Sequence, residues 1–204
     1  MTYLNQHFEI EFKNELNKEQ YLHLLDNEFK DSSDNILNTF QTNYYFDTID
    51  QVLKKQHSVL RIRVTDSSNE LTFKVPHQDF LMESNYHLSN NDCSDIIQST
   101  QLVLSSYLLP TDSIPKLENI SKDTVFRLFN QFDTDRHEKS VGDHLIVLDM
   151  TTFQNGVVDY ELEVESQSPE AGLDFFNSFL EKHAIKKQKA LPKIARAQQN
   201  ILEL

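Results

Sequence analysis

Charged residues recur at every second position in several short stretches of this sequence, and each stretch carries mostly one sign of charge. The residues with this spacing are Glu9, Glu11 and Lys13 in FEIEFK, Arg61 and Arg63 in LRIRV, Lys74 in LTFKV, and Glu161, Glu163 and Glu165 in YELEVE. Clustered carboxylates are hard oxygen ligands that suit Mg²⁺ or Mn²⁺. Clustered Lys and Arg side chains bind phosphate groups. A ligand that brings a divalent metal and several phosphates together, such as a triphosphate, would need both.

Alternation with a period of two is typical of β-strands, because successive side chains point to opposite faces. Phe8, Ile10 and Phe12 therefore share the face opposite the charges of the first stretch. A solvated sheet face with cross-strand ion pairs would also explain any single stretch. Runs of like charge on several strands instead favour a sheet curled into an antiparallel barrel, with charged faces inward. A barrel of about eight strands can hold one small ligand.

The remaining elements place these strands in an α+β fold, with helices packed outside the barrel. A helix is predicted after Asn17, which can cap it with Gln20 as capping-box partner. Residues 92–109 are predicted to be helical, and residues 110–122, with Pro110 and Pro115, to form a loop.

Later in the chain, Asn155-Gly156 predicts a hairpin turn. Ser168 and Pro169 predict a helix start, and a short helix is expected after Pro192. The predicted strands number eight, and no linker divides them, so residues 1–204 are expected to form a single domain.

Composition narrows the possible functions. The chain has 204 residues, a formal net charge of −13 and three glycines. Three glycines are too few for a P-loop or a dinucleotide-binding loop, so phosphate binding must use side chains. The negative net charge of the chain argues against a nucleic-acid partner. Cys93 is the one cysteine, which excludes an internal disulfide and favours a cytoplasmic location. No signal sequence or membrane span is expected, and the sequence does not indicate an oligomeric state.

These stretches also occur in the order of a known family's motifs. EIEFK resembles the ExExK signature of the CYTH domain, also called the triphosphate tunnel metalloenzyme superfamily. The similarity continues through YYFDT, LRIR, LTFKVP, LDMTTF and DYELEVE and covers nearly the whole chain. The combination is more specific than ExExK alone. Within the superfamily the chain is most similar to the small single-domain bacterial group.

The resemblance implies an eight-stranded antiparallel tunnel with a charged lumen and assigns roles to its residues. The implied triphosphate ligands are Lys13, Arg61, Arg63, Lys74, Arg136 and Lys193. The implied metal ligands are Glu9, Glu11, Glu161 and Glu163, with Asp149 nearby. Catalysis would rest on Glu9, Glu11, Lys13, Glu161 and Glu163. Pro192 stands where the family usually has a serine before its late lysine, and Arg127 competes with Arg136 for one role.

The expected activity is hydrolysis of a triphosphate with Mg²⁺ or Mn²⁺, releasing orthophosphate. Inorganic tripolyphosphate is the leading substrate, because no element for recognising a base is evident. Adenylyl cyclases and thiamine triphosphatases share the family's site and remain alternatives. A sensor that binds a nucleotide or polyphosphate without turnover is a third possibility, although the full set of acidic residues argues against it.

Overall fold

Antiparallel strands make up most of the part of the chain that this computed structural model describes, namely residues 2–30, 36–78, 80–106, 117–188 and 190–202. Ten strands belong to one sheet. They are β1 (Thr2–Glu9), β2 (Glu11–Leu16), β3 (Ile36–Asp47), β4 (Val59–Thr65), β5 (Asn69–His77), β6 (Phe80–His87), β7 (Gln101–Val103), β8 (Val125–Val141), β9 (His144–Phe153) and β10 (Val158–Ser166). The helices are α1 (Lys18–Glu28), α2 (Val52–Lys55), α3 (Asn90–Ser99), α4 (Pro169–Lys182) and α5 (Lys193–Leu202). No helix among the described residues has the length and apolar content that crossing a membrane requires.

The first of two compact units comprises Met1–Glu9 and Gln41–Gln131. Its strands are hydrogen-bonded in the order β1, β6, β5, β4 and β3, and the described pairings are antiparallel. Alternation sorts the side chains as expected: Leu60, Ile62, Leu71 and Phe73 are at most 1% exposed and pack in one apolar cluster. The polar residues between them lie on the opposite face of the sheet.

The second unit comprises Ile10–Phe40 and Phe132–Leu204. Here β8, β9, β10 and β2 are joined by antiparallel pairing. The apolar residues of these strands form a cluster with those of α1 and α4. Gly172 lets α4 approach closely, because a Cβ atom there would lie 2.6 Å from the Cβ of Ser166 and 2.7 Å from the ring of Phe12.

The predicted single strand over residues 8–13 is two strands. β1 ends at Glu9 and pairs with β6, whereas β2 begins at Glu11 and pairs with β10. The change of partner interrupts the ladder at Ile10. Period-2 alternation runs unbroken across this point, so the pattern alone could not reveal the division.

The predicted helix over residues 92–109 is also too long. α3 ends at Ser99 because Thr100 adopts a left-handed conformation with φ of 56°, and the next residues form β7, which pairs with β8. This strand and the divided first strand raise the count from the predicted eight to ten. Residues 107–116, including Pro110 and Pro115, lie outside the described part of the chain.

Several local predictions are confirmed. Asn17 and Gln20 form the capping box of α1, and Ser168 caps α4. Gly156 has φ of +81° in the turn between β9 and β10, a conformation that glycine adopts without strain. α5 begins directly after Pro192, as expected.

A buried carboxylate on α1 ties three elements of the second unit together. Glu28 is 8% exposed and accepts hydrogen bonds from Lys139 of β8 at 2.9 Å and from Lys182 of α4 at 2.5 Å. His183 Nε2 lies 2.9 Å from the same carboxylate. Burial opposes ionisation, but the two lysines outweigh it and lower the pKa of Glu28 to about 2.

We expect Glu28→Gln to lower the free energy of unfolding at pH 7. The pKa in the folded state, about 2, is below the ordinary value of 4.5. The stabilisation is therefore complete above pH 4.5 and is lost as pH falls toward 2. Urea unfolding at pH 7 and pH 3.5 checks this, and the difference between variant and wild type should shrink at the lower pH. Exposed Glu181 supplies the control, Glu181→Gln; a pH-independent effect of Glu28→Gln would contradict the assignment.

Candidate active site

Strand register in the second unit brings charged residues into one row. Arg136 of β8 pairs with Asp149 of β9, which pairs with Glu161 of β10. Glu163 lies two residues farther along β10, on the same face as Glu161, and pairs with Lys13 of β2. Residues from four strands therefore converge on one side of this unit.

Three carboxylates form the centre of this arrangement, and we call them the acidic cluster: Asp149, Glu161 and Glu163. They are at most 3% exposed. One oxygen from each lies within 4.8 Å of the others, and among the described residues no other group of His, Cys, Asp and Glu side chains meets this spacing. Buried carboxylates so close together repel one another, so the cluster requires cations.

Arg136 supplies a two-pronged contact to the acidic cluster. Its Nε donates to Asp149 Oδ1 at 2.8 Å, and its Nη2 donates to Oδ2 at 2.7 Å. The same Nη2 lies 3.1 Å from Glu163 Oε2. A planar guanidinium matches a carboxylate in this geometry better than a lysine ammonium can.

Two lysines supply further cations. Lys13 Nζ lies 2.8 Å from Glu163 Oε1 and 3.0 Å from Glu11 Oε1. Lys193, the first residue of α5, contacts Asp149 and lies 3.4 Å from Glu161 and 3.9 Å from Glu163. The Lys193 ammonium group therefore lies within ion-pair distance of all three members of the acidic cluster.

Neighbouring charges set the protonation of the acidic cluster. Burial disfavours ionisation of Glu163, but Lys13, Lys193 and Arg136 outweigh it and hold its pKa well below the ordinary value. The pKa of Asp149 is likewise lowered, because Arg136 and Lys193 overcome the cost of burial. Burial, with the nearby Glu163 carboxylate adding to it, raises the pKa of Glu161 to about 7.

The acidic cluster fits a divalent cation. Both Glu161 oxygens are buried and neither accepts a well-directed hydrogen bond, although Lys193 and Arg196 lie within ion-pair distance. Buried carboxylate oxygens normally have such partners. Three hard oxygen ligands are the donor set that Mg²⁺ and Mn²⁺ prefer.

The first unit contains a second set of charged residues. Lys74 of β5 contacts Glu9 of β1 and lies 2.7 Å from Glu83 of β6. Burial opposes ionisation of Glu83, but Lys74 and Arg61 lower its pKa to about 2. Arg61 Nη2 donates to Thr72 Oγ1 at 3.3 Å. The charged faces of these strands thus form ion pairs and hydrogen bonds rather than a simple solvated surface.

The structure assigns the predicted site residues to the two units separately. Those in the first unit are Glu9, Arg61, Arg63 and Lys74; those in the second are Glu11, Lys13, Arg136, Asp149, Glu161, Glu163 and Lys193. Arg136 is 9% exposed and contacts the acidic cluster, whereas Arg127 is exposed on β8. This placement favours Arg136 over Arg127. Metal binding by Glu9 and Glu11 stays a prediction.

Two charged residues near these sets were not predicted from the sequence. Arg196 of α5 lies 2.5 Å from Glu161. Its spacing of three residues from Lys193 places both on one helix face, and this signal could have identified it. Glu83 was missed because the partner of Lys74 is fixed by the register of β5 with β6, which the sequence does not show.

The CYTH domain family model matches residues 7–197. YjbK of Bacillus subtilis (strain 168), provisionally named a triphosphatase, is 32% identical over 201 residues, which is 95% of each chain.

Solved structures share the fold. A Bacillus halodurans protein provisionally named an adenylate cyclase has a TM-score of 0.77 and 27% identity, over 95% of this chain and 98% of its own. A Hippeastrum protein, provisionally named an adenylyl cyclase and described as having a dominant triphosphatase activity, has a TM-score of 0.76 and 20% identity. That match covers 94% of this chain and 96% of the other. These matches confirm the predicted α+β antiparallel fold.

Removing the cation that pairs with Asp149 should destabilise the protein. We expect Arg136→Met to lower the free energy of unfolding by about 3 kcal/mol, because it leaves a buried carboxylate short of its main partner. Arg127→Met, on the same strand but exposed, should change stability by less than about 0.5 kcal/mol. Urea unfolding at pH 7 compares the two. Equal stability of both variants would show that the Arg136 pair contributes little.

Proposed function

The chain belongs to the CYTH domain family, and on that basis we propose that it hydrolyses a triphosphate, with inorganic tripolyphosphate as the substrate and orthophosphate as a product. The observation that carries this proposal is the buried acidic cluster, which is contacted by the cationic side chains of Lys13, Arg136 and Lys193. In this proposal, neighbouring strands carry both the metal ligands and most of the phosphate ligands. A substrate that is itself a metal–polyphosphate complex matches both.

The cationic residues would bind the phosphate oxygens. In the second unit these are Lys13, Arg136 and Lys193, all of which contact the acidic cluster. The resemblance to the family extends the role to Arg61, Arg63 and Lys74. Because phosphoryl transfer depends mainly on positioning and on neutralising charge, cations fixed on strands are well suited to it.

The acidic cluster would hold Mg²⁺ or Mn²⁺, and we extend this role to Glu9 and Glu11 from the family resemblance. Such an ion, when bound, neutralises phosphate oxygens and can activate water. Asp149 and Glu163, whose pKa values are lowered by their neighbours, are ionised at neutral pH and ready to act as ligands. A carboxylate oxygen not used as a ligand can accept a hydrogen bond from the attacking water and orient it toward the terminal phosphorus.

Charge balance explains how a polyanion could enter. Each cation near the acidic cluster is paired with a carboxylate, so phosphate oxygens must replace those partners rather than meet bare charges. The carboxylates released in this way become available as metal ligands. We infer that the triphosphate and the divalent ion bind in support of each other, each relieving the repulsion that the other would create.

A cyclase reaction on the same site is the second candidate, and the Bacillus halodurans structural relative favours it by its provisional name. A cyclase would convert ATP to cyclic AMP and pyrophosphate, whereas a hydrolase releases orthophosphate. Thiamine triphosphate is a further possible substrate. The products separate a cyclase from a hydrolase, and the preferred substrate separates tripolyphosphate from thiamine triphosphate. Binding without any product would indicate a sensor.

We expect orthophosphate release that requires a divalent ion and is fastest with tripolyphosphate. The test incubates the purified protein with tripolyphosphate, ATP or thiamine triphosphate, each with Mg²⁺, Mn²⁺ or EDTA. Orthophosphate, pyrophosphate and cyclic AMP are all measured. Undiminished release in EDTA would argue against the metal, and cyclic AMP with pyrophosphate from ATP would make the protein a cyclase.

Two variants test the proposed residues directly. Glu161→Gln removes a candidate metal ligand, and Arg61→Ala removes a candidate phosphate ligand, so we expect each to abolish turnover while the protein stays folded. Arg127→Ala is the matched control and should keep wild-type turnover, because Arg127 is exposed. Circular dichroism verifies folding. Wild-type rates in either Glu161→Gln or Arg61→Ala would contradict the assignment of that residue.

A further inference from the structure

Arg196 is a buried cation on α5 that the proposed function does not use. It is 8% exposed and lies three residues after Lys193. Its Nη1 lies 2.5 Å from Glu161 Oε2, and its Nε donates to Asp159 Oδ2 at 2.6 Å. Nη1 also contacts the carbonyl oxygen of Leu191. The guanidinium is therefore fixed at two of its nitrogens.

These contacts place the Arg196 guanidinium against one oxygen of the Glu161 carboxylate, at ion-pair distance. Asp159 and Glu161 are alternate residues of β10 and lie on the same face of the strand, so the fork of Arg196 bridges two like charges. Oε2 lies against Arg196, whereas the other oxygen, Oε1, lies 3.4 Å from Lys193 Nζ and 4.0 Å from Lys13 Nζ. That is the side on which the acidic cluster and its cations lie.

We propose that Arg196 is a positioning residue, which holds one oxygen of Glu161 so that the other is presented to a divalent ion. The role rests on the proposed function, because it presumes an ion at the acidic cluster. Groups that orient metal ligands typically change metal affinity by about 10- to 100-fold when they are removed.

A purely electrostatic role and a positioning role of Arg196 predict opposite changes in divalent-ion affinity when Arg196 is removed. If its positive charge merely repels a nearby cation, removing that charge should tighten ion binding. If it orients Glu161, removing the guanidinium should weaken ion binding. Arg196→Lys separates the two effects, because lysine keeps the charge but cannot reproduce a planar fork that reaches two carboxylates.

The experiment measures Mn²⁺ affinity without substrate, from the electron paramagnetic resonance signal of free Mn²⁺. We expect Arg196→Lys and Arg196→Met to bind Mn²⁺ at least about tenfold more weakly than wild type. Asp159→Asn loosens Arg196 without altering the acidic cluster and should give a smaller loss in the same direction. Arg127→Lys, at an exposed position, is the matched control and should bind as wild type does.

Kinetics then distinguish positioning from direct phosphate binding. Turnover by Arg196→Lys should recover as Mn²⁺ is raised to saturation, with KM for tripolyphosphate close to that of wild type. A raised KM with unchanged Mn²⁺ affinity would overturn the proposal and make Arg196 a phosphate ligand.

The Mn²⁺ measurement also separates this proposal from the proposed function. Equal Mn²⁺ affinity of wild type and Arg196→Lys would overturn the positioning role while leaving the triphosphatase intact. A wild-type protein that binds Mn²⁺, loses affinity in Arg196→Lys, and yet cleaves no triphosphate would support the positioning role and overturn the proposed activity. A wild-type protein that binds no Mn²⁺ would overturn the positioning role together with the metal site.

Discussion

The ion pair between Arg136 and Asp149 is the interaction on which the second unit most depends. A carboxylate that is 0% exposed can remain charged only if its loss of hydration is offset by close, well-directed partners. The two-pronged contact with Arg136 and the added contact with Lys193 supply them. Once Asp149 is ionised and fixed on β9, strand register brings Glu161 directly opposite it. The remaining charges of the site then follow from that geometry.

Apolar burial on the opposite face of the same strands offsets this electrostatic cost. Ile146, Leu148, Leu162 and Val164 alternate with the charged residues of β9 and β10 and are at most 1% exposed in a core with α1 and α4. Burial of each large aliphatic side chain stabilises the folded state by roughly 1.5–3 kcal/mol. Alternation thus lets one strand pair carry both the stabilising core and a strained arrangement of like charges. The first unit uses the same division between its apolar cluster and the residues around Lys74.

Much of this could be predicted from the sequence, because alternation and helix caps are local signals. The faces of Arg61, Lys74, Glu161 and Glu163 followed from period-2 spacing alone. Features that depend on strand pairing could not be predicted. The strand breaks at Ile10 because it changes partners there. Glu83 lies beside Lys74 only because of the register between β5 and β6. Thr100 ends α3 in a left-handed conformation that is uncommon outside glycine. Local patterns therefore predicted which face of each strand carries the charged side chains. The ion-pair partners of those side chains depend on strand pairing, which the local sequence does not reveal.

α5 brings two cations to the acidic cluster, whose members all precede it in the chain. A ribosome makes Lys13, Arg136 and the acidic cluster before it makes Lys193 and Arg196. Until α5 docks, Glu161 and Glu163 would lie side by side without two of their cations, and protonation is the cheapest relief for such a pair. Arg136 and Lys13 would still pair with Asp149 and Glu163 at that stage, so Glu161 is the carboxylate that depends most on the docking of α5.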